Sequence, residues 1–385
     1  MDGKRGAENM KMLDYVVMAN SRLRENLARA VELTDPLVKA FTASASATVR
    51  IVASGSSRHS ADCARDYMQD ILGMQVAVVT PEAFIDREHV FPRDAFTMVI
   101  SQSGFSTNSI AALDFIRGGG CGEGVQSVAI TGNPSAPIRD HADVVVDYGV
   151  GVESVDFVTM GVQTLVEFLM LFALYASHAT GRISGERVDR ELRCFESAFD
   201  AHAAALRACE EWMDEEKLTL SRRVPACVVG NGPNYGVAEE GALKLNECIK
   251  IAAMHSEGEE FVHGPQMQLT PDSLLFMLDD PRGSERLANL HAQFRTVTKG
   301  AFFITAHPRG IEGELAIPAP TNPLMCAIPN LVAFQYLAAQ KTEELERWEM
   351  HPYVRALRDT IGTKADGYED SIHALEERAK DQYGQ

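Results

Sequence analysis

Short β-branched runs, each followed by a stretch long enough for a helix, constrain this chain more than any other feature. Five fall within residues 48–150: VRIVASG (49–55), QVAVVT (75–80), FTMVIS (96–101), SVAITG (127–132) and DVVVDYG (143–149). Helices are expected at 60–72 and 108–118, and an apolar one at 162–175 closes the unit. Uninterrupted apolar strands alternating with helices predict a parallel sheet covered on both faces. The pattern then restarts with ACVVGNG (226–232), a helix over 237–249, LLFMLDD (274–280), AFFITAH (301–307) and LAIPA (315–319). The expected fold class is therefore α/β, built from two copies of one unit, the second degenerate. Residues 1–47 read as a helical segment, 48–185 as the first domain and 186–220 as a charged helical connector. Residues 221–345 read as the second domain and 346–385 as a polar tail, with EELERWE and RALRDT helical.

A length of 385 residues exceeds what one core usually holds, which agrees with two domains. The net charge of -18 argues against nucleic acid or an anionic membrane as partner, since both need a basic field. It leaves room for a phosphorylated small molecule held by neutral donors. The opening MDGKRGAENMKMLDYV has no apolar core of the signal-peptide kind. The strongest apolar run, 168–176, is about half a bilayer span, so a cytoplasmic chain without membrane contact is expected. Seven scattered cysteines without a CxxC suit a reduced chain better than a disulfide framework or a zinc site. No metal and no cofactor are expected, because nothing stands at ligand spacing.

The third apolar run ends abruptly in ISQSGFSTNS (100–109), a loop of hydroxyls, an amide and a glycine. Ligands of open parallel sheets sit outside the carboxyl ends of the strands, where helix amino termini offer unpaired N–H groups. Ser101, Ser103, Ser106 and Thr107 could hold an anion there, with Gly104 letting the backbone approach. Alternatively, Ser106 or Thr107 simply caps the next helix. It is not a P-loop, for no GKS or GKT is present.

The helix in VAEEGALKLNECIKI places Glu240, Lys244 and Glu247 on one stripe. The plain reading is a surface ion pair between Glu240 and Lys244, worth about 0.2–0.5 kcal/mol. The functional reading takes Glu247 as a base and His263, beside Gly264-Pro265 in SEGEEFVHGPQ, as its acid. His255 is set aside as structural.

The motifs SQSGFS (101–106), EGALKLNE (240–247) and EEFVHGP (259–265), in this order, resemble the sugar isomerase (SIS) domain family. The likeness covers roughly residues 40–345 and is strongest to the isomerase half of glutamine–fructose-6-phosphate amidotransferase and to fructosamine-6-phosphate deglycases. It implies two SIS domains, each a five-stranded parallel sheet between helix layers, flavodoxin-like. It also implies that Ser57, Ser101, Gln102, Ser103 and Ser106 hold a sugar phosphate, and that Glu153 and Thr159 contact the sugar. Ser106 stands where Thr is common, Phe105 replaces a common Glu, and Met160 stands where the amidotransferases have Lys. By the same resemblance Glu247 moves a proton between sugar carbons, while Glu240 and Lys244 surround the open-chain sugar. His263 would serve as acid from the neighbouring subunit of a homodimer, and Lys364 in IGTKADG would stand for a carboxy-terminal lysine that reaches the site.

Fewer than fifty residues precede the first strand, so the amidotransferases' glutaminase domain, and glutamine-driven amination, are not expected. The expected reaction is deglycation of a phosphorylated amino-sugar adduct: proton transfer between C1 and C2, then imine hydrolysis to hexose 6-phosphate and an amine. An isomerising deaminase that releases ammonia would use nearly the same residues. A sugar-phosphate sensor without catalysis is the reading from another class, opposed by the charge and by the Glu247/His263 pair.

Overall fold

The computed structural model describes residues 10–220 and 225–383. The five runs of the first unit form β1 (Thr48–Val52), β2 (Val76–Val79), β3 (Ala95–Ile100), β4 (Val128–Thr131) and β5 (Val144–Asp147). They make one sheet in the order β2-β1-β3-β4-β5, and every pairing is parallel. All six residues of β3 are buried, as expected of a strand covered on both faces.

The second sheet runs β10-β9-β8-β6-β7. Its strands are β6 (Ala226–Val229), β7 (Ala253–Ser256), β8 (Leu274–Leu278), β9 (Ala301–Thr305) and β10 (Glu314–Ala316). From the opposite edge this is the order of the first sheet, so the repeat inferred from the apolar runs is a repeat of topology. The unexpected strand is β7, whose AMHS carries two polar residues and lies half-buried at an edge. The LAIPA run yields only the short β10, which stops before Pro318, a residue with no N–H for the ladder.

Helix Met160–Ala179 has the length and hydropathy to cross a bilayer, yet 94% of its apolar window is buried inside the protein. Its apolarity is that of a core helix, packed on helices Ser56–Leu72 and Ala30–Ser44. The charged segment expected as a connector is mostly one 31-residue helix, Gly185–Glu215. One face of it is thoroughly buried, with Phe195, Ala198, Phe199, Ala205 and Cys209 inside, and it packs on helix Ala327–Glu344. It is thus a packing element as well as a link. In the tail, EELERWE is helical only at its first two residues, because helix Ala327–Glu344 ends there. RALRDT lies within helix Pro352–Ile361, as expected.

Each sheet has a switch point, between β1 and β3 in the first and between β6 and β8 in the second, the place where doubly wound folds bind ligands. In the second sheet this point is filled. Asn234 donates to the Asp279 carbonyl at 2.8 Å, and Asn330 to Asn234 Oδ1 at 2.9 Å. The cavity beside it, at the ends of β8, β9 and β10, is only about 10 Å³. In the first sheet it is open.

Candidate active site

The open switch point is a cavity of about 760 Å³ at the carboxyl ends of β1 and β3. Ser57, Ser101, Gln102, Ser103, Ser106, Glu153, Glu247 and Lys364 all line it. Residues more than 300 positions apart in sequence therefore meet at one site. Glu240, Lys244, Thr159 and His263 do not line it.

The loop after β3 is fixed by its own hydrogen bonds. The Gly104 N–H donates to the carbonyl and hydroxyl oxygens of Ser101 at 3.1 and 3.2 Å, and the Phe105 N–H donates to Ser103 Oγ at 3.2 Å. Gly104 has φ +72°, and a Cβ there would meet Ala136 Cβ at 2.5 Å, so both conformation and space demand glycine. Ser106 occupies the cap position of helix Thr107–Arg117, but its hydroxyl makes no capping bond. Simple capping is therefore not what this hydroxyl does. Helix Ser56–Leu72, which begins after Gly55, likewise has no side-chain cap. The first residues of both helices line the cavity, and their uncapped ends favour an anion.

The cation at this cradle comes from the tail. Lys364 Nζ donates to Ser103 Oγ at 3.2 Å and Ser106 Oγ at 3.4 Å. Backbone pairing holds it in place: the Ala365 N–H donates to the Phe105 carbonyl at 2.8 Å, and the Thr107 N–H to that of Thr363 at 3.2 Å. The Phe105 and Tyr368 rings pack at 5.7 Å, which gives the Phe that replaces a common Glu an anchoring role. A phosphate in the cradle would gain a charge-assisted contact from Lys364. Lys364→Ala should therefore weaken phosphosugar binding about tenfold or more by calorimetry. Unchanged affinity would remove the lysine from the cradle.

Glu153 sits at the cavity wall, but its oxygens are engaged. Oε1 accepts the Thr159 and Met160 N–H groups at 3.0 and 2.6 Å, while Oε2 accepts the Gly161 N–H at 3.1 Å and Gln102 Nε2 at 2.7 Å. Burial pushes this carboxyl up, opposed by those four donors. Glu153 thus caps the core helix and orients Gln102. Thr159 is fully buried and its hydroxyl donates to the Phe157 carbonyl at 2.7 Å, so it is no sugar contact in this geometry.

The charged stripe is not a surface pair. Helix Pro233–Lys244 widens into a π-helical turn at Leu245–Ile249, a distortion often found at functional sites. Glu240 and Lys244 are fully buried, while the Glu247 side chain is 28% exposed at the cavity. Lys244 Nζ lies 3.1 Å from Glu240 Oε1 and 2.5 Å from Glu247 Oε1. Burial alone would raise the Glu240 carboxyl, but Lys244 and His59 outweigh it and bring it down to about 2. For Lys244 burial acts to lower the ammonium's pKa, yet Glu240 and Glu247 raise it well above the ordinary lysine value. Both members of the buried pair are charged at neutral pH.

His263 is exposed at the end of helix Gly258–Val262 and stands apart from its own chain's cavity. Other lining residues escaped the sequence reading: Glu82, Asn108, Asp156 and Tyr368. His59, which does not line the cavity, also escaped that reading, although it stands two residues after Ser57 on helix Ser56–Leu72.

Fold and cavity together define a tandem doubly wound α/β protein with one open, hydroxyl-lined switch point. The chain belongs to the SIS domain family, whose model matches residues 43–177 and 220–329. It is 28% identical over 326 residues to the isomerizing glutamine–fructose-6-phosphate aminotransferase of Zymomonas mobilis, covering 80% of this chain and 50% of that protein. The chain spans about half the length, or less, of the curated relatives it matches. Among solved structures, a candidate phosphosugar isomerase of Clostridium difficile 630 superposes with TM-score 0.77 at 23% identity, covering 94% of this chain and 98% of that one. Glucosamine-6-phosphate deaminase of Thermotoga maritima superposes with TM-score 0.65 at 17% identity, covering 86% and 95%.

Proposed function

We propose that this chain cleaves a 6-phosphorylated amino-sugar adduct of the fructosamine or glucosamine type. The observation that carries the reading is one cavity joining an anion cradle to a partly exposed carboxylate, Glu247, with an ammonium behind it. The phosphate would lie between the two helix amino termini, among Ser57, Ser101, Ser103, Ser106 and Lys364. Fixing that end orients the sugar carbons before reaction. On a fructosamine 6-phosphate, Glu247 takes the C1 proton and the electron pair moves into an enolamine. Reprotonation at C2 leaves an imine at C1. Water adds to C1 and the C–N bond breaks, giving hexose 6-phosphate and a free amine. His263 would assist at the C2 oxygen from a second copy of the chain, as the family resemblance implies. Mixing Glu247→Gln and His263→Ala chains should then restore activity that neither has alone.

Two features favour an adduct over a bare aminosugar phosphate. The cavity falls in the range of about 300–1,000 Å³ typical for drug-sized ligands, and it extends past the cradle to Ile361, Ile372 and Leu375. Among the described lining residues Lys364 is the only basic one, against Glu82, Asp156 and Glu247 as well as Glu153, whose oxygens are already engaged. With the lysine at the phosphate, the remaining charges suit a cationic amine part. Incubation with 6-phosphorylated fructoselysine, fructose-aspartate and glucoselysine, and with glucosamine 6-phosphate, tests this by following hexose phosphate, amino acid and ammonia. The lysine adducts should be cleaved in preference to the aspartate adduct. Ammonia from glucosamine 6-phosphate alone would establish the deaminase instead.

A further inference from the structure

We infer that His59, on the helix that begins the first domain's cradle, is a positioning residue for Glu247; the inference rests on Glu247 being the base. Glu240 and Lys244 are fully buried and off the cavity, so they reach a substrate only through what they do to Glu247. Glu240 is held by three groups. Lys244 lies on its own helix, whereas the other two come from the opposite domain: Ser56 Oγ donates to Oε1 at 3.0 Å, and His59 Nδ1 lies 2.9 Å from Oε2. The chain of contacts is His59 to Glu240 to Lys244 to Glu247, with every link between 2.5 and 3.1 Å. Ser56 belongs both to this chain and to the cavity wall, so the domain that holds the phosphate also steadies the base.

His59 is 9% exposed. Around it stand Glu240 and Glu239 on the opposing helix, Arg58 and Asp62 on its own, and His255 on β7. Arg58 is engaged with Glu239 at 2.8 Å, which leaves the imidazole as the donor facing Glu240 Oε2. A buried carboxylate that loses a donor is left under-solvated. Without His59, Glu240 would draw Lys244 closer and away from Glu247. The base then loses its ammonium partner and turns more freely.

His59→Phe keeps the ring and removes the donor, while His59→Asn places an amide nitrogen where Nδ1 lies. Two readouts are taken on each, with His59→Ala as a second variant without the donor. One is solvent deuterium wash-in to the sugar carbons. The other is the carbon-13 resonance of the Glu247 carboxyl at pH 7, assigned by its absence in Glu247→Gln. His59→Phe should lower kcat about 10–100-fold, as loss of outer-shell support does at other sites, with KM within about twofold. Its Glu247 carboxyl resonance should move, and His59→Asn should recover most of both. His59→Phe added to Glu240→Gln should cost little further, because the two act as one unit. An unmoved Glu247 carboxyl resonance in both donor-free variants, or full additivity with Glu240→Gln, overturns the inference. If the wild type exchanges no proton on any phosphosugar, the functional reading fails and the Glu247 resonance alone decides the role of His59.

Discussion

Glu247→Gln should lower proton transfer on a bound phosphosugar by about 10²–10⁴-fold, the usual contribution of a positioned base. Affinity should change little, because the amide keeps the carboxylate's shape and the phosphate cradle is built from other residues. Stability should also hold. The Glu247 side chain is partly exposed, and Lys244 keeps its contact with Glu240. Loss of kcat with binding and fold intact would separate this residue from the buried pair beneath it. A fall in affinity as large as the fall in rate would instead make Glu247 a binding group.

The largest stability effect is expected at Lys244. Lys244→Met leaves Glu240 buried against His59 and Ser56 without its ammonium, and breaking a buried pair this way costs about 3–5 kcal/mol. Urea unfolding at pH 7 reads it as a lower midpoint. Its pH dependence has a definite sign. Glu240 in the folded protein sits at about 2, below the ordinary glutamate value of 4.5. Its contribution is thus present above pH 4.5 and disappears as pH falls towards 2. Lys244 is shifted upward, so its share is present below the ordinary lysine value and disappears only at strongly alkaline pH. The gap between wild type and Lys244→Met should be widest near neutrality and narrow below pH 4.5. A gap that is constant from pH 7 to 3 would mean that packing, not charge, is what the lysine supplies.

The fold was legible where the chain is monotonous. β6 and β8 are unbroken apolar runs between helices, β3 and β9 are broken only by a threonine and β1 by Arg50, and such runs have few other places to go. β7 was not legible, because an edge strand need not be apolar on both faces and AMHS is not. Helical spacing placed Glu240, Lys244 and Glu247 on one stripe but could not say which way the stripe faces. The better signal lay in two glycines of the same helix. A Cβ at Gly236 would meet the Cys63 backbone nitrogen at 2.4 Å, and one at Gly241 the Phe334 ring at 2.7 Å. Two faces of the helix are therefore pressed against neighbours, and a charged pair there is buried. The hydroxyl loop was legible as a polar ending to a buried strand. What put Lys364 beside it is backbone pairing with Phe105 and Thr107 across more than 250 residues, which no local pattern encodes.

The most direct measurement is solvent deuterium incorporation in heavy water, with fructoselysine 6-phosphate and glucosamine 6-phosphate, for wild type and Glu247→Gln side by side. If the cavity is a phosphosugar site with Glu247 as its base, the wild type yields hexose phosphate labelled at C2 from the fructoselysine adduct, or at C1 from glucosamine 6-phosphate, and the variant essentially none. Equal labelling by both proteins, or tight binding of the sugars with no exchange in either, would contradict that assignment.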